Sequence, residues 1–462
     1  MFIFPLIFII SFVVALREVY RGKGDGIFIF LIFGLSMYTT AMSVTFLLGL
    51  KAIIPAFQFF KEVMVLCVLT LNVMSLRQRP KFHLIDYLIF AFLGYTFLYV
   101  ILPIGEHGFL KRLLAFKSTS FYIVAYFTGR LFDPKAIYIN KYFNYIALLT
   151  IGAGAVLTVE VLMQQQLQLY TGFAEYCYYF FNIEPNGSFG LTTTFESEGG
   201  YRRFASFYAN PLELAAATLL ALAVILALLT RDNGRFKAKL MGWTALLATL
   251  FCIVFSFSRA PLASYCLIIY VYALITYKRF ITYTVHTAVL IGAVYAAYLF
   301  AQFEQNHTGI IEVFVNTIDF SNPSSVGHLV EWIEGIMAMI QSPLGLGLGT
   351  SGRVAGTFGE NVGGENQFII IGVQAGIIAL LLYLTIYILF IKMGLKWVKR
   401  LKGKERKICM AVLLIKIGFI IPMLTSEVES SSYLSYMNWL LSGLFISVIM
   451  QQHSNKLQPA TT

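Results

Sequence analysis

Apolar runs of about 20 residues, the length that crosses a bilayer, recur along this chain and are parted by short polar gaps. They fall at roughly 1–16, 27–50, 52–75, 84–105, 109–128, 141–163, 208–229, 237–257, 260–277, 282–302, 367–391, 408–425 and 432–450. The runs are continuous and rich in Leu, Ile, Phe and Ala rather than alternating, so each backbone must satisfy its own hydrogen bonds as an α-helix and not as a barrel strand. The pattern predicts an all-α polytopic membrane protein with about 12 to 13 transmembrane helices. Two connections break the rhythm, at 164–207 and 303–366, far longer than the usual two to eight residues between packed helices. The chain thus divides into N-terminal helices (1–163), a first long loop (164–207), central helices (208–302), a large loop (303–366), and C-terminal helices with a tail (367–462).

Composition agrees with this reading and charge gives it a direction. With 58% hydrophobic residues and 12% charged ones, no water-soluble surface could be covered. Of the 34 Lys and Arg residues, 24 fall in every second gap and the tail, which places those gaps in the cytoplasm. The N-terminus is then expected outside, the C-terminus inside, and both long connections on the extracytoplasmic face. The net charge of +11 sits in short juxtamembrane loops such as Lys396 to Lys407, where it faces anionic lipid headgroups and not nucleic acid. Residues 1–16 lack a basic leader and a small-residue cleavage site, and read as a retained first span. The five cysteines show neither a disulfide framework nor metal-ligand spacing.

The long connections carry the candidate chemistry, as loops on a rigid scaffold generally do. The first is aromatic and polar, with Tyr176 to Phe181 followed by Glu196, Glu198, Arg202 and Arg203. The second contains His307, His328, an amphipathic helix expected at about 328–340, Arg353, Glu360 and Glu365. Ser342-Pro343 ends that helix, and Gly345, Gly347, Gly349 and Gly352 then give an irregular loop whose amides are expected to be free to approach a ligand. The two histidines read as ordinary loop residues. Gly347-x-Gly349-x-x-Gly352 has no preceding strand and is not a dinucleotide fingerprint.

Arg202, Arg203, Arg259, Arg353 and Glu365-Asn366-Gln367 all lie at one depth on that face. Guanidinium groups grip phosphate oxygens in a fork and stay charged at any working pH. Several of them beside one carboxylate would suit a diphosphate leaving group and a hydroxyl nucleophile. The bland alternative is that Arg259 snorkels, that Arg202 and Arg203 are solvated, and that Glu365 caps a helix. It weakens for the set because few cations are placed on this side.

Four motifs then resemble the O-antigen ligase and polymerase superfamily, in the same order over roughly 200–390. They are Arg203-Phe-Ala-Ser-Phe-Tyr-Ala-Asn210-Pro211, Ser256-Phe-Ser258-Arg259, Pro343-Leu-Gly345-Leu-Gly347-Leu-Gly349, and Glu365-Asn366-Gln367-Phe368 with Gly372, Gln374 and Gly376. The resemblance implies a metal-independent enzyme of the bacterial inner membrane that needs no cofactor. It implies transfer of glycan from an undecaprenyl-diphosphate donor to an acceptor on the periplasmic face, with a chain-length regulator or flippase as further partners. Glu365, Arg259 and Arg203 would be catalytic, and Arg202, Arg353, Asn366, Gln367, Asn210 and Ser258 would bind substrate. Ligases carry His-Asn where this chain has Glu365-Asn366, which favours a repeat-unit polymerase over a ligase acting on lipid A-core. The usual Asn-Pro-Asn is here Asn210-Pro211-Leu212, with Glu213 next.

Two readings from other classes compete. Lys61, Glu62, Lys117 and Lys416 lie within apolar runs and could form a transporter's proton relay, although snorkelling or a local ion pair accounts for them better. No internal repeat or matching pair of interrupted helices supports an inverted-repeat transporter. A non-catalytic scaffold for polysaccharide assembly is the third possibility.

Overall fold

The computed structural model describes residues 1–76, 80–197, 200–277, 279–302, 323–359 and 361–457. His307, Glu198 and Glu360 lie outside the described residues. Among those described, nine helices are long and apolar enough to cross a membrane. They are α1 (Ile3–Tyr20), α2 (Gly24–Leu47, with a π turn at Phe30–Gly34), α3 (Lys51–Met74), α4 (Leu84–Ile101), α7 (Ile139–Met163), α9 (Pro211–Leu229), α15 (Gln367–Trp397), α16 (Gly403–Thr425) and α17, whose spanning part is Ser432–His453. Two shorter apolar helices, α10 (Leu240–Phe255) and α11 (Arg259–Ile275), and the 24-residue α12 (Arg279–Gln302) add to these. The all-α polytopic architecture is therefore observed, with no strand among the described residues beyond two isolated bridges.

The fifth apolar run is not one span. It forms α5 (Phe109–Thr119), a 3₁₀ turn at Phe121–Ile123 and α6 (Val124–Arg130). Eleven residues of helix rise only about 17 Å, too short to cross a bilayer. The physical reason lies in the sequence of α5 itself, where Lys111, Arg112, Lys117, Ser118 and Thr119 interrupt the apolar positions. Arg112 is buried and donates from its guanidinium to the Leu102 carbonyl, while Lys111 Nζ stands 5.2 Å from the ring centre of Phe358.

Helix α17 forms the centre of the bundle, with 94% of its spanning window buried, whereas α1 and α3 are buried over only 33% and 28% and lie at the rim. Its crossing with α6 uses small residues for close approach. A Cβ at Gly443 would come within 1.9 Å of the Tyr126 carbonyl oxygen, and one at Gly129 within 2.0 Å of that of Leu440.

Three of the cation-rich gaps meet at one end of the bundle. Lys404 donates to the carbonyl of Lys135, Arg406 to those of Arg231 and Asp232, and Lys407 to Asn140 Oδ1. The opposite end, called the loop end below, holds the described residues of the segments at 164–207, 342–366 and 426–431.

The loop end also includes α8 (Phe173–Phe181), α13 (Pro323–Gln341) and α14 (Arg353–Phe358). Helix α13 covers the expected 328–340, starts earlier, and ends before Ser342-Pro343.

Candidate active site

The segment from Arg203 to Asn210 is irregular backbone buried at the head of α9, so its polar groups need partners from side chains. Ser206, at φ 52°, donates its amide hydrogen to Glu160 Oε2 at 2.8 Å and its hydroxyl to the Ala153 carbonyl at 2.9 Å. Gln168 Nε2 donates to the carbonyls of Ser206 and Tyr208, each at 2.8 Å, and Thr40 donates to that of Phe207 at 2.7 Å. This web fixes the approach to Asn210, whose Oδ1 accepts from the Glu213 amide at 2.9 Å and caps α9, with Pro211 at the first helical position. Glu213 follows in the first turn of α9. Its Oε2 accepts from the Ala209 amide at 3.0 Å, and its Oε1 accepts from Ser431 Oγ at 2.5 Å.

The same web carries Arg203 to the turn before Arg259. Arg203 Nε donates to the Ser256 carbonyl at 3.0 Å, and the Phe204 amide donates to that of Phe255. That places the Arg203 guanidinium at the turn between α10 and α11. Phe257 turns the chain there with φ 46°, buried Ser258 occupies the cap position, and exposed Arg259 opens α11. Arg202 points elsewhere. Its guanidinium donates to the Gln164 carbonyl and lies 4.4 Å from the ring centre of Phe189.

The glycine-rich loop does not leave its amides free, which corrects the sequence expectation. Helix α15 is broken at Gly376, with φ 78° and ψ 177°, and the loop fills the break. Leu346 and Gly347 donate to the carbonyls of Val373 and Gln374, while Ile377 donates to that of Pro343. Gly349 donates to Gln374 Oε1 at 2.9 Å, Gln374 Nε2 donates to the Ser351 carbonyl, and Gly352 donates to Asn361 Oδ1. The glycines serve close packing: a Cβ at Gly345 would lie 2.6 Å from the Gly376 nitrogen. His107 Nε2 and Tyr99 Oη complete the dock through the carbonyls of Gly349 and Leu344.

Downstream of that loop, Glu365 is half exposed and its carboxylate lies against Nδ1 of His328 on α13. Asn366 and Gln367 turn inward. Asn366 Oδ1 accepts from the amides of Phe368 and Ile369 as the α15 cap, and Gln367 Oε1 accepts from the Glu429 amide at 3.1 Å.

The 426–431 turn thus becomes a meeting point that the sequence reading passed over. Glu427 Oε2 accepts from the Arg353 amide at 2.7 Å, and the exposed Arg353 guanidinium lies 5.5 Å from the ring centre of Phe181. Glu429 is buried and accepts from Tyr122, Tyr383, Asn438 and Trp439. Burial pushes the Glu427 carboxyl up to about 7 against the opposing pull of the Arg353 amide and charge. Two glutamates and four serines in the gap Ser426–Ser432 were the available signal, since so short an outer gap has little need of carboxylates.

Glu213 ties the two groups together, because it holds Ala209 on the Arg203 segment and Ser431 on the turn that holds Arg353. The structure brings Arg203 to the turn that precedes Arg259, and Arg353 and Gln367 to the 426–431 turn. Glu365 stands by His328, and Arg202 is held apart by the first loop. Among the described residues no group of His, Cys, Asp and Glu is arranged to hold a metal ion. The buried cations do not form a chain of relays. Lys61 and Lys117 both meet Glu62, and Lys416 is enclosed by Tyr387, Phe390 and Trp439 with its Nζ 4.4 Å from the Trp439 ring centre.

Arginines beside carboxylates at the end of a membrane bundle can hold a phosphate leaving group and accept a proton. Comparison with known proteins bears on that chemistry. No curated protein matches the chain. Residues 244–384 match the family model described as O-antigen ligase, a stretch that contains Arg259, Arg353, Glu365 and the break in α15 at Gly376 but not Arg203 or Glu427. That match supports the O-antigen ligase/polymerase superfamily for this multi-pass protein, a family of glycosyl-transferring enzymes that act on lipid-linked glycans in bacterial inner membranes.

Proposed function

We propose that the protein is a polysaccharide polymerase that joins undecaprenyl-diphosphate-linked repeat units on the periplasmic face of the inner membrane. The observation that carries this reading is the tie of Arg203 to the turn that opens α11 with Arg259, which sets two guanidinium-bearing motifs at one point of the loop end. In the reaction, the acceptor hydroxyl oxygen attacks the anomeric carbon of the donor sugar. The bond from that carbon to the phosphate oxygen breaks, and the electron pair leaves with the diphosphate. Arg203 and Arg259 neutralise the charge that grows on the leaving group, with Arg353 assisting. Glu365, steadied by His328, takes the hydroxyl proton. Asn210 and Asn366 hold helix starts, Gln367 holds the 426–431 turn, and Ser258 forms the turn before Arg259, so these four act on substrate through the backbone they fix.

Glutamate in place of the histidine of ligases supports polymerisation over transfer to lipid A-core. A transporter remains the reading from another class, favoured by the break in α15 at Gly376. Purified protein mixed with lipid-diphosphate oligosaccharide, without added metal, should give a ladder of longer glycans. Product only when lipid A-core is added would make it a ligase. An unchanged mixture in both conditions would leave the transporter or the scaffold.

A further inference from the structure

Lys61 and Glu62 on α3 and Lys117 on α5 form an ionic group inside the apolar part of the bundle that the scheme above does not use. Lys61 Nζ lies 3.6 Å and Lys117 Nζ 3.2 Å from the same oxygen, Glu62 Oε1, and the side chains are only 12%, 27% and 9% exposed for Lys61, Lys117 and Glu62. Two cations share one carboxylate, so a positive charge is left over where the surroundings are apolar. Such a charge is costly in a membrane span and points to function. Lys61 donates to the Tyr38 hydroxyl at 3.3 Å and to the Gln58 carbonyl at 3.0 Å, and Glu62 is its ionic neighbour without a hydrogen bond between them. Lys117 has Glu62 as its ionic partner and lies 4.1 Å from the ring centre of Phe59. It is the most exposed of the three, and it stands at a seam whose neighbours Phe59, Val63, Leu113 and Leu114 face outward.

The group is placed on the way to the arginines. Lys61 touches Tyr38 on the second span. Helix α5 also packs against the 428–430 turn beside Glu427. An anionic headgroup whose lipid tail stays in the bilayer could enter at this seam, meet Lys117 first, and reach toward Arg353 without leaving the membrane.

We infer that Lys61 and Lys117, held in place by Glu62, bind the diphosphate of the second, acceptor lipid-linked substrate, apart from the donor diphosphate at Arg203 and Arg259. This rests on the polymerase reading. A polymerase needs both substrates lipid-linked, and a site for a second diphosphate would let the acceptor sugar project toward Glu365 while its tail remains in the bilayer.

The test uses the full-length protein in nanodiscs and geranylgeranyl diphosphate as the probe, with equilibrium binding read by calorimetry. Wild type should bind two equivalents. Lys117→Gln should weaken one of them at least tenfold, Lys117→Arg should restore it, and Arg259→Ala should weaken only the other. If Lys117→Gln leaves both sites intact, the inference is overturned. If Arg259→Ala alone has no effect, the donor assignment fails while the lysine site stands. Phosphatidylglycerol added to the nanodiscs separates the sources: competition at the Lys117-dependent site as strong as that by the diphosphate would make it an ordinary headgroup site and overturn the substrate assignment.

Discussion

Arg203 donates its Nε hydrogen to the main-chain carbonyl of Ser256 across 3.0 Å, and so a loop residue is fastened to the turn between two helices 53 positions further along the chain. The bond uses the inner nitrogen of the guanidinium and thereby fixes the plane of the fork. Lysine has no such inner donor, so it can keep the charge or the anchor but not both. Arg203→Lys should therefore retain only a small fraction of polymerising activity, and Arg203→Ala should lose on the order of a hundredfold or more. Initial rates with purified protein at equal membrane abundance check this. A lysine variant at full rate would mean that the fork geometry is immaterial.

Glu427 gives a prediction in pH. Its carboxyl is held up to about 7, above the ordinary value of 4.5, chiefly by burial. The folded state therefore binds a proton more tightly than the unfolded chain. Below pH 4.5 the group is neutral in both states and contributes no difference. Between 4.5 and 7 stability falls as pH rises, and above 7 the full cost of a buried charge is present, on the order of a few kcal/mol. Glu427→Gln keeps an oxygen for the Arg353 amide and removes the charge. Thermal midpoints of the two proteins should coincide near pH 4.5, with the wild type falling below the variant by pH 8. Parallel curves over this range would show that the carboxylate is solvated.

Most of the bundle was legible because continuous apolar runs and alternating cation-rich gaps are strong, local signals. The exception was the run at 109–128, where hydropathy averaged over Phe and Leu hid the lysines and arginine that end α5 early. The arginines were picked out by the same kind of local signal, a cation on the cation-poor face, and that signal did not separate Arg202, which is held by Gln164, from the others. What the sequence could not show was partnership across distance. Glu213 reaches Ser431 over 218 positions, Gln367 reaches Glu429 over 62, and the Gly345 to Gly349 loop owes its glycines to the break at Gly376 and not to a ligand. Such contacts depend on helix order in space, which hydrophobic period does not encode.

The break in α15 yields a prediction of its own. Gly376 has φ 78°, and a Cβ there would stand 2.5 Å from the Pro343 carbonyl oxygen. Gly376→Ala must both strain the backbone and push out the loop whose amides satisfy the broken turn. The expected result is a protein that still inserts but whose 342–366 segment becomes accessible to protease, with activity lost together with that protection. Unchanged protease resistance would mean that the loop is held by its other docks, His107 and Tyr99.

Orientation can be checked directly. The cation-rich end should be cytoplasmic, so a cysteine placed at Gly187 should react with an impermeant maleimide in intact spheroplasts, and one at Lys402 should react only after lysis. The five native cysteines should first be replaced, of which Cys177, Cys252 and Cys409 are buried and Cys266 is exposed. Labelling at position 402 in intact spheroplasts would invert the topology and place the arginines on the wrong side for a periplasmic substrate.

Glu365 offers the sharpest test of the chemistry. Its carboxylate is about half exposed and paired with His328, so it is open to a substrate hydroxyl and yet held by α13. General base catalysis is commonly worth on the order of a hundredfold or more, and Glu365→Ala should lose about that much without loss of folded protein, because Asn366 and not Glu365 caps α15. Glu365→His returns a proton acceptor of the kind that ligases carry here and should recover part of the rate. His328→Gln should be milder than Glu365→Ala, since it removes only the group that steadies the base. If instead His328→Gln is the more damaging and Glu365→Ala makes normal polymer, the histidine takes the proton and the carboxylate merely orients it.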